Sequence, residues 1–475
     1  MSPFAAIRKH GELEQSKEGR LLTERLVVIG GDAGGMTAAS QARRLRDADD
    51  LEIVAFERGN FTSYSSCGIP YFVGDVVDDL ETLIVRTPED FARHSIDARI
   101  RHEVVEVDLD GTKVRVRDLD SGAEAWEGYD HLVVATGAVP ARPPLPGIDS
   151  DHVFGVQTLD DGIVIKEAID RLQPRRAVVV GAGYIGLEIA EALVVNGVDV
   201  SLVEAAPQPM TTLDPEMGAL VADAMREMGI HVYVDEPVEG FESTGGAVSA
   251  VVTENESLPA DLVVLGLGAR PNSKLAEEAG LEVGERTRGI VVDQRMQTPV
   301  ANVWAAGDVT EKFPRVSREK VAIALGPHAN KEGRAAGINI GGGYETFPGV
   351  VGTAVSKVCS LEVARTGLTE AEAARAGFEF VTATVDSTTR AGYFPGTAHI
   401  KTKFLAERAS GRLLGAQIIG REGAAKRIDV CATALWCEMT VDEMLNVDLS
   451  YAPPFSPLWD PVLVAARKTW QAVQG

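Results

Sequence analysis

The stretch Asn60 to Asp75, NFTSYSSCGIPYFVGD, carries one cysteine, Cys67, and no second sulfur near it in sequence. A thiol does chemistry as its thiolate, and a helix N-terminus lowers a thiol's pKa. Ser65 and Ser66 precede Cys67, so a helix starting there is expected to favour the nucleophilic form. The other cysteines, Cys359, Cys431 and Cys437, show neither metal-ligand spacing nor a dense disulfide pattern. Cys431 and Cys437 fall in the helix-like run VCATALWCEM and Cys359 in the strand-like TAVSKVCSLEV, where a buried thiol acts as a small hydrophobe.

Two glycine-rich fingerprints flank Cys67, each after a run that reads as a buried strand. The first, RLVVIGGDAGGM, places Gly30, Gly31, Gly34 and Gly35 around Asp32, which stands where the G-x-G-x-x-G pattern has its middle glycine. Glu57 ends the following strand, LEIVAFE, where a carboxylate binds a ribose hydroxyl. The second, RRAVVVGAGYIGLEIAEAL, is complete, with Gly181, Gly183 and Gly186 between strand and helix. Glu204 closes VSLVE beyond it. A carboxylate there accepts from the 2′-hydroxyl of NAD and repels the 2′-phosphate of NADP, so NADH is the expected donor and NADPH the alternative. The buried runs DHLVVATG and VWAAGDV end in small-residue turns, and Asp308 in the latter reads as a ligand to a flavin ribityl or pyrophosphate, a reading compatible with a helix N-cap. Flavin, nicotinamide and thiol are the chemistry this combination implies. The candidate cofactor contacts are Gly30, Gly31, Ala33, Gly34, Gly35, Glu57, Arg58, Ala135, Thr136, Gly137, Gly181, Gly183, Tyr184, Ile185, Gly186, Glu188, Glu204, Gly268, Gly307 and Asp308.

The elements around these motifs read as an α/β chain. With 475 residues, several domains are expected. We place an N-terminal extension at 1–24, a flavin-binding unit at 25–150 resumed at 285–345, a nicotinamide-binding unit at 151–284 and a packing or interface domain at 346–475. Lys320 to Ile340 reads as helical, and the proline-rich ARPPLPG as a linker. A net charge of −24 argues against nucleic acid or an anionic membrane surface as a general partner. No run reaches the length of a membrane helix, and the first residues lack the apolar core of a secretion signal, so a cytoplasmic protein is expected.

The order of fingerprint, thiol loop, ATG turn, second fingerprint, GARPN, AAGD and a C-terminal α+β region resembles the pyridine nucleotide-disulfide oxidoreductases over residues 25 to 475. Within them, SYSSCGIPYFVGD, GYFPG, GREGAAKRIDV and SYAPPFSPLWDP resemble coenzyme A-disulfide reductase and its single-cysteine relatives. The resemblance implies a glutathione-reductase-like fold of two Rossmann-like domains and a C-terminal dimerisation domain. It implies FAD and a homodimer with an active site shared between subunits. Two-cysteine relatives carry C-x4-C, but Phe72 occupies the second position here, so the oxidised form of Cys67 is a mixed disulfide with coenzyme A or a sulfenic acid. The tail lacks the His-Pro acid/base motif. Tyr393 and Tyr451 match the tyrosines that serve the thiol from the partner subunit, where a phenol can protonate a leaving thiolate. Glu188 matches a glutamate near flavin and nicotinamide whose lysine partner is missing. Gln41, Arg44, Ser63 and Ser66 match coenzyme A contacts, with Arg86, Arg93 and His94 able to add charge. The expected activity is NADH-driven reduction of a small disulfide, coenzyme A disulfide first. The alternatives are an NADH oxidase or peroxidase, a persulfide reductase, and a flavin-bound redox sensor.

Overall fold

Residues 23–475 are described by a computed structural model; of the expected N-terminal extension, residues 1–22 lie outside it. The β-branched run Glu24–Ile29 is buried on both faces, as the centre of a parallel sheet requires. The five strands of that sheet lie in the order Val303–Ala305, His131–Val134, Glu24–Ile29, Leu51–Phe56, Asp97–Arg99. Its edge strand Val303–Ala305 joins from far along the chain. Between its departure after Val134 and its return, the chain builds a second parallel sheet, ordered His231–Tyr233, Asp199–Val203, Arg176–Val180, Leu262–Leu265, Val153–Gly155. The proline-rich run expected to be a plain linker contributes a short strand, Ala138–Pro140, antiparallel to Ala269–Pro271. Proline fits there because neither strand belongs to a larger sheet.

The C-terminal region is a five-stranded antiparallel sheet, Ala354–Val358, Leu361–Gly367, Leu413–Gly420, His399–Glu407, Phe380–Thr388, whose core is closed by the helices Ile428–Trp436 and Pro461–Gln474. Two local expectations are corrected. The helix expected from Lys320 begins at Gly326, because Val321 pairs with Lys312 and Pro327 takes a first-turn position that needs no N–H. TAVSKVCSLEV is a hairpin rather than one strand. Cys359 sits in its turn with φ of 52° and is part-buried, and Cys437 is exposed at the end of its helix, whereas Cys431 is fully buried as expected.

A buried ionic cluster fastens the second parallel unit to the C-terminal sheet. Asp214 caps the helix Pro215–Glu227; its N–H donates to Gln417 Oε1 (2.8 Å), and its carboxylate accepts from Gln417 Nε2 (2.7 Å) and the Glu370 N–H (3.0 Å). Lys403 Nζ lies 2.9 Å from Asp214 and 2.5 Å from both Glu216 and Glu370. Lys403 and Asp214 are almost wholly buried, so removing one strands the other. Lys403→Met is expected to destabilise the protein by about 3–5 kcal/mol. Denaturant unfolding should show the midpoint falling with the slope unchanged.

Candidate active site

The two parallel units hold their glutamates in the same way. Glu57 accepts from the N–H of Gly31 and of Gly59, both at 2.7 Å. Glu204 accepts from the N–H of Ala182 (2.8 Å) and of Ala206 (2.9 Å). Each carboxylate is therefore locked at a strand end beside a glycine turn, which suits it to receive ribose hydroxyls. In the first turn Gly30 has φ of 110°, and a Cβ there would run into the Ala135 carbonyl. In the second, Gly183 has no neighbour closer than 3.9 Å to an added Cβ, so that glycine answers to an approaching ligand rather than to the chain's own packing.

Asp308 is part-buried, and its Oδ1 is a buried polar atom with no partner among the described residues. An orphaned acceptor of this kind fits a ligand hydroxyl. The N-cap reading is compatible with this one, since the same carboxylate accepts from the Leu325 N–H at the start of the helix Gly326–Ile340, against which the turn lies. Its turn is pinned from behind. Lys312 Nζ donates to the Gly307 carbonyl (2.6 Å) and to Glu332 (2.8 Å), while Glu332 accepts from the Gly307 N–H (2.8 Å). This fully buried pair was missed from the sequence, since nothing marks Lys312 and Glu332 as neighbours before the fold is known. A cleft of about 600 Å³ opens between the two parallel units, lined by Glu57, Arg58, Tyr64, Arg142 and Thr158.

Cys67 occupies a short 3-10 turn, Ser66–Gly68, ahead of the helix Ile69–Val73, and is exposed. This helix packs on Tyr184–Val195 of the second fingerprint: Asn196 Nδ2 donates to the Val73 carbonyl (2.9 Å), and Gly74 abuts Ala192. The expected lowering of the thiol's pKa is not found. Although Cys67 is exposed on one side, desolvation by the surrounding protein pushes its thiol up, as do the carboxylates of Glu188, Asp308 and Asp32, against a hydrogen bond from Ser66. A single helical turn in front of several acids is too weak a dipole to prevail. Glu188 accepts from Ser356 Oγ at 2.7 Å, and its own carboxyl is raised by burial and by Glu191.

Residues 24–333 match the family described as pyridine nucleotide-disulphide oxidoreductase, and residues 353–461 match its dimerisation domain. The chain belongs to this family. It is 38% identical over 444 residues to the NAD(P)H sulfur oxidoreductase (CoA-dependent) of Pyrococcus abyssi, covering 93% of this chain and 97% of that protein. It is 37% identical over 445 residues to an NADH oxidase of Methanocaldococcus jannaschii, covering 93% and 98%. The crystal structure of reduced Bacillus anthracis CoADR-RHD superposes with a TM-score of 0.92 at 34% identity, covering 96% of this chain and 82% of that one.

In this oxidoreductase the remaining candidates fall into two groups. Gln41 and Arg44 lie on the helix Ala33–Leu45, which packs along Gly326–Ile340, with Thr37 Oγ1 donating to Asn330 Oδ1 at 2.8 Å. Arg44 and Arg86 are exposed, whereas Arg93 is occupied by Asp90. Ser63 and Ser66 belong to the Cys67 segment itself, Ser63 with φ of 45°. Tyr393 and Tyr451 stand exposed together on the C-terminal unit, and the Tyr451 hydroxyl is raised by desolvation and by its neighbour Tyr393, with which it shares a hydrogen bond. Arg427 fixes their loops, donating to the carbonyls of Thr389 and Phe455 (2.8 Å each) and pairing with Asp460 (3.0 Å).

Asp32 is the departure with a measurable consequence. It sits where the pattern keeps a glycine for close pyrophosphate approach. Its carboxyl is pushed up to about 6 by burial, helped by Glu57 and Asp308 and opposed by the backbone N–H groups of Ala33 and Tyr64. The native state holds this proton from the ordinary 3.8 up to about 6, so rising pH across that window works against the native protein, and an adjacent pyrophosphate favours the protonated form further. FAD affinity, followed by flavin fluorescence on the deflavinated protein, is expected to weaken as pH rises through about 6 and beyond. Asp32→Asn should bind FAD more tightly at pH 8 and lose most of that slope.

Proposed function

We propose that the protein is an FAD-dependent, NADH-driven reductase of a low-molecular-weight disulfide, coenzyme A disulfide first, acting through Cys67 as a homodimer. The observation that carries this reading is an exposed, lone Cys67 beside the second-fingerprint helix, in a loop with no sulfur to close an internal disulfide. Bound FAD would supply the two-electron transfer between nicotinamide and sulfur. Glu57 and Asp308 are suited to hold it, and Gly183 and Glu204 to hold the dinucleotide donor.

The chain's own part is positional and acid-base. Cys67 attacks a disulfide RS–SR, forming the mixed disulfide and releasing one thiolate; an electron pair then breaks the new S–S bond, returning the Cys67 thiolate and a second RS–. Each departing thiolate takes a proton. On this reading Tyr393 and Tyr451, exposed on the unit matching the dimerisation domain, supply it to the partner subunit's thiol, and Phe455, Leu458 and Trp459, exposed in the same region, supply an apolar contact surface for that partner. The cationic end of the substrate site is offered by Arg44 and Arg86, which carry no ion pair among the described residues.

Anaerobic NADH oxidation with coenzyme A disulfide as sole acceptor tests the reading. Rapid turnover is expected, and Cys67→Ser should abolish it; no turnover until air or peroxide is admitted would transfer the assignment to an oxidase or peroxidase. Glu204→Ser should lower kcat/KM for NADH by about tenfold to a hundredfold, the worth of a charged hydrogen bond to the ribose, while leaving NADPH little affected.

A further inference from the structure

The C-terminal hairpin of Ala354–Val358 and Leu361–Gly367 reaches across to the second-fingerprint helix and grips two of its acids. Ser356 Oγ donates to Glu188 Oε1 at 2.7 Å. One helical turn on, Glu191 receives the Cys359 N–H at 2.7 Å and pairs with Lys357 Nζ at 3.1 Å. The hairpin turn that presents the Cys359 N–H holds that residue at φ of 52°, so the grip is built into the turn geometry. The other flank of the same helix packs on Ile69–Val73, the helix that Cys67 leads into. One helix thus touches the thiol segment on one side and the C-terminal unit on the other.

We infer that Ser356 is a positioning residue for Cys67: by donating to Glu188 it fixes that carboxylate beside the thiol segment, and so sets the reactivity of Cys67. A hydroxyl donor stabilises the charged form of its carboxylate partner, as a lysine does, but adds no positive charge to the site. Glu188 therefore keeps more of its charge than burial and Glu191 alone would leave it. The other groups facing Cys67 are Asp308, Asp32 and Tyr71, with Ser66 as a hydrogen-bond donor; those facing Glu188 are Glu191, Tyr71 and Tyr184, with Lys357 drawn to Glu191. None of these cations or donors contacts the Glu188 carboxylate as Ser356 does. A reactive thiol held back in this way is sheltered from adventitious oxidants until a disulfide or flavin is in place.

The inference rests on Cys67 being the redox thiol, and its test reads the thiol without any acceptor. The FAD-loaded protein is reduced with dithiothreitol, freed of it anaerobically, and alkylated with iodoacetamide from pH 5 to 10. The rate at Cys67 is followed by peptide mass spectrometry, which separates it from Cys359 and Cys437. Glu188→Gln should lower the midpoint and speed alkylation at pH 7 by about tenfold, one unit of pKa. Ser356→Ala should move it the same way, by less than Glu188→Gln, because Glu188 loses the donor that favours its charged form. Ser356→Thr, which keeps the hydroxyl, should match the wild type, and Ser356→Ala should add nothing on top of Glu188→Gln. An unmoved midpoint in Ser356→Ala, or a shift that persists in the Glu188→Gln background, overturns the inference. Failure to turn over coenzyme A disulfide, by contrast, would bear only on the choice of acceptor.

Discussion

A sulfur with no partner in its own loop can be oxidised reversibly only by bonding to something from outside the loop, and this constraint shapes much of the molecule. It requires Cys67 to face a space that a second reactant can enter, and the residue is indeed exposed on a turn rather than sealed in a core. It leaves the thiol without the charge relief of a neighbouring sulfur or cation. The carboxylates of Glu188, Asp308 and Asp32 together with desolvation hold it protonated, and only the Ser66 hydroxyl works the other way. In the function proposed, the acid that completes thiol release comes from elsewhere, and we assign it to Tyr393 and Tyr451, exposed neighbours on the C-terminal unit.

Bringing a hydride donor, a flavin and a sulfur into line needs units that do not drift. The structure meets this with buried charge rather than with apolar contact alone. Lys312 and Glu332 hold the Gly307–Asp308 turn against the helix Gly326–Ile340, and Lys403 with Asp214 ties the helix Pro215–Glu227 to the C-terminal sheet. Buried pairs cost desolvation and contribute little net stability, but they tolerate one geometry only. That trade suits positions where a small displacement would separate reacting atoms.

Much of this was legible in the sequence because it rests on local pattern. The strand–glycine–helix order of both fingerprints, the strand-end glutamates and the AAGD turn all fall where the backbone needs them, and Glu57 and Glu204 prove to share one double-amide clamp. The misses are of another kind. The thiol's pKa depends on acids from three separate segments, so the local serines and helix start gave the wrong sign. Ser356 lies 168 positions from Glu188, and no periodicity links them. The Cys359 turn hid inside an apolar run, because a left-handed residue other than glycine leaves little trace in composition.

The central claim is that Cys67 stores oxidation as a mixed disulfide with a small thiol. It is tested most directly by anaerobic NADH titration of the purified, FAD-loaded protein after exposure to coenzyme A disulfide and removal of the excess, with the released thiol measured by mass spectrometry. We expect two NADH to be consumed per subunit, one by the sulfur and one by the flavin, with one coenzyme A released in total and its release complete before the flavin stays reduced. Uptake of a single equivalent by the flavin alone, or two equivalents consumed with no thiol released, would contradict the account.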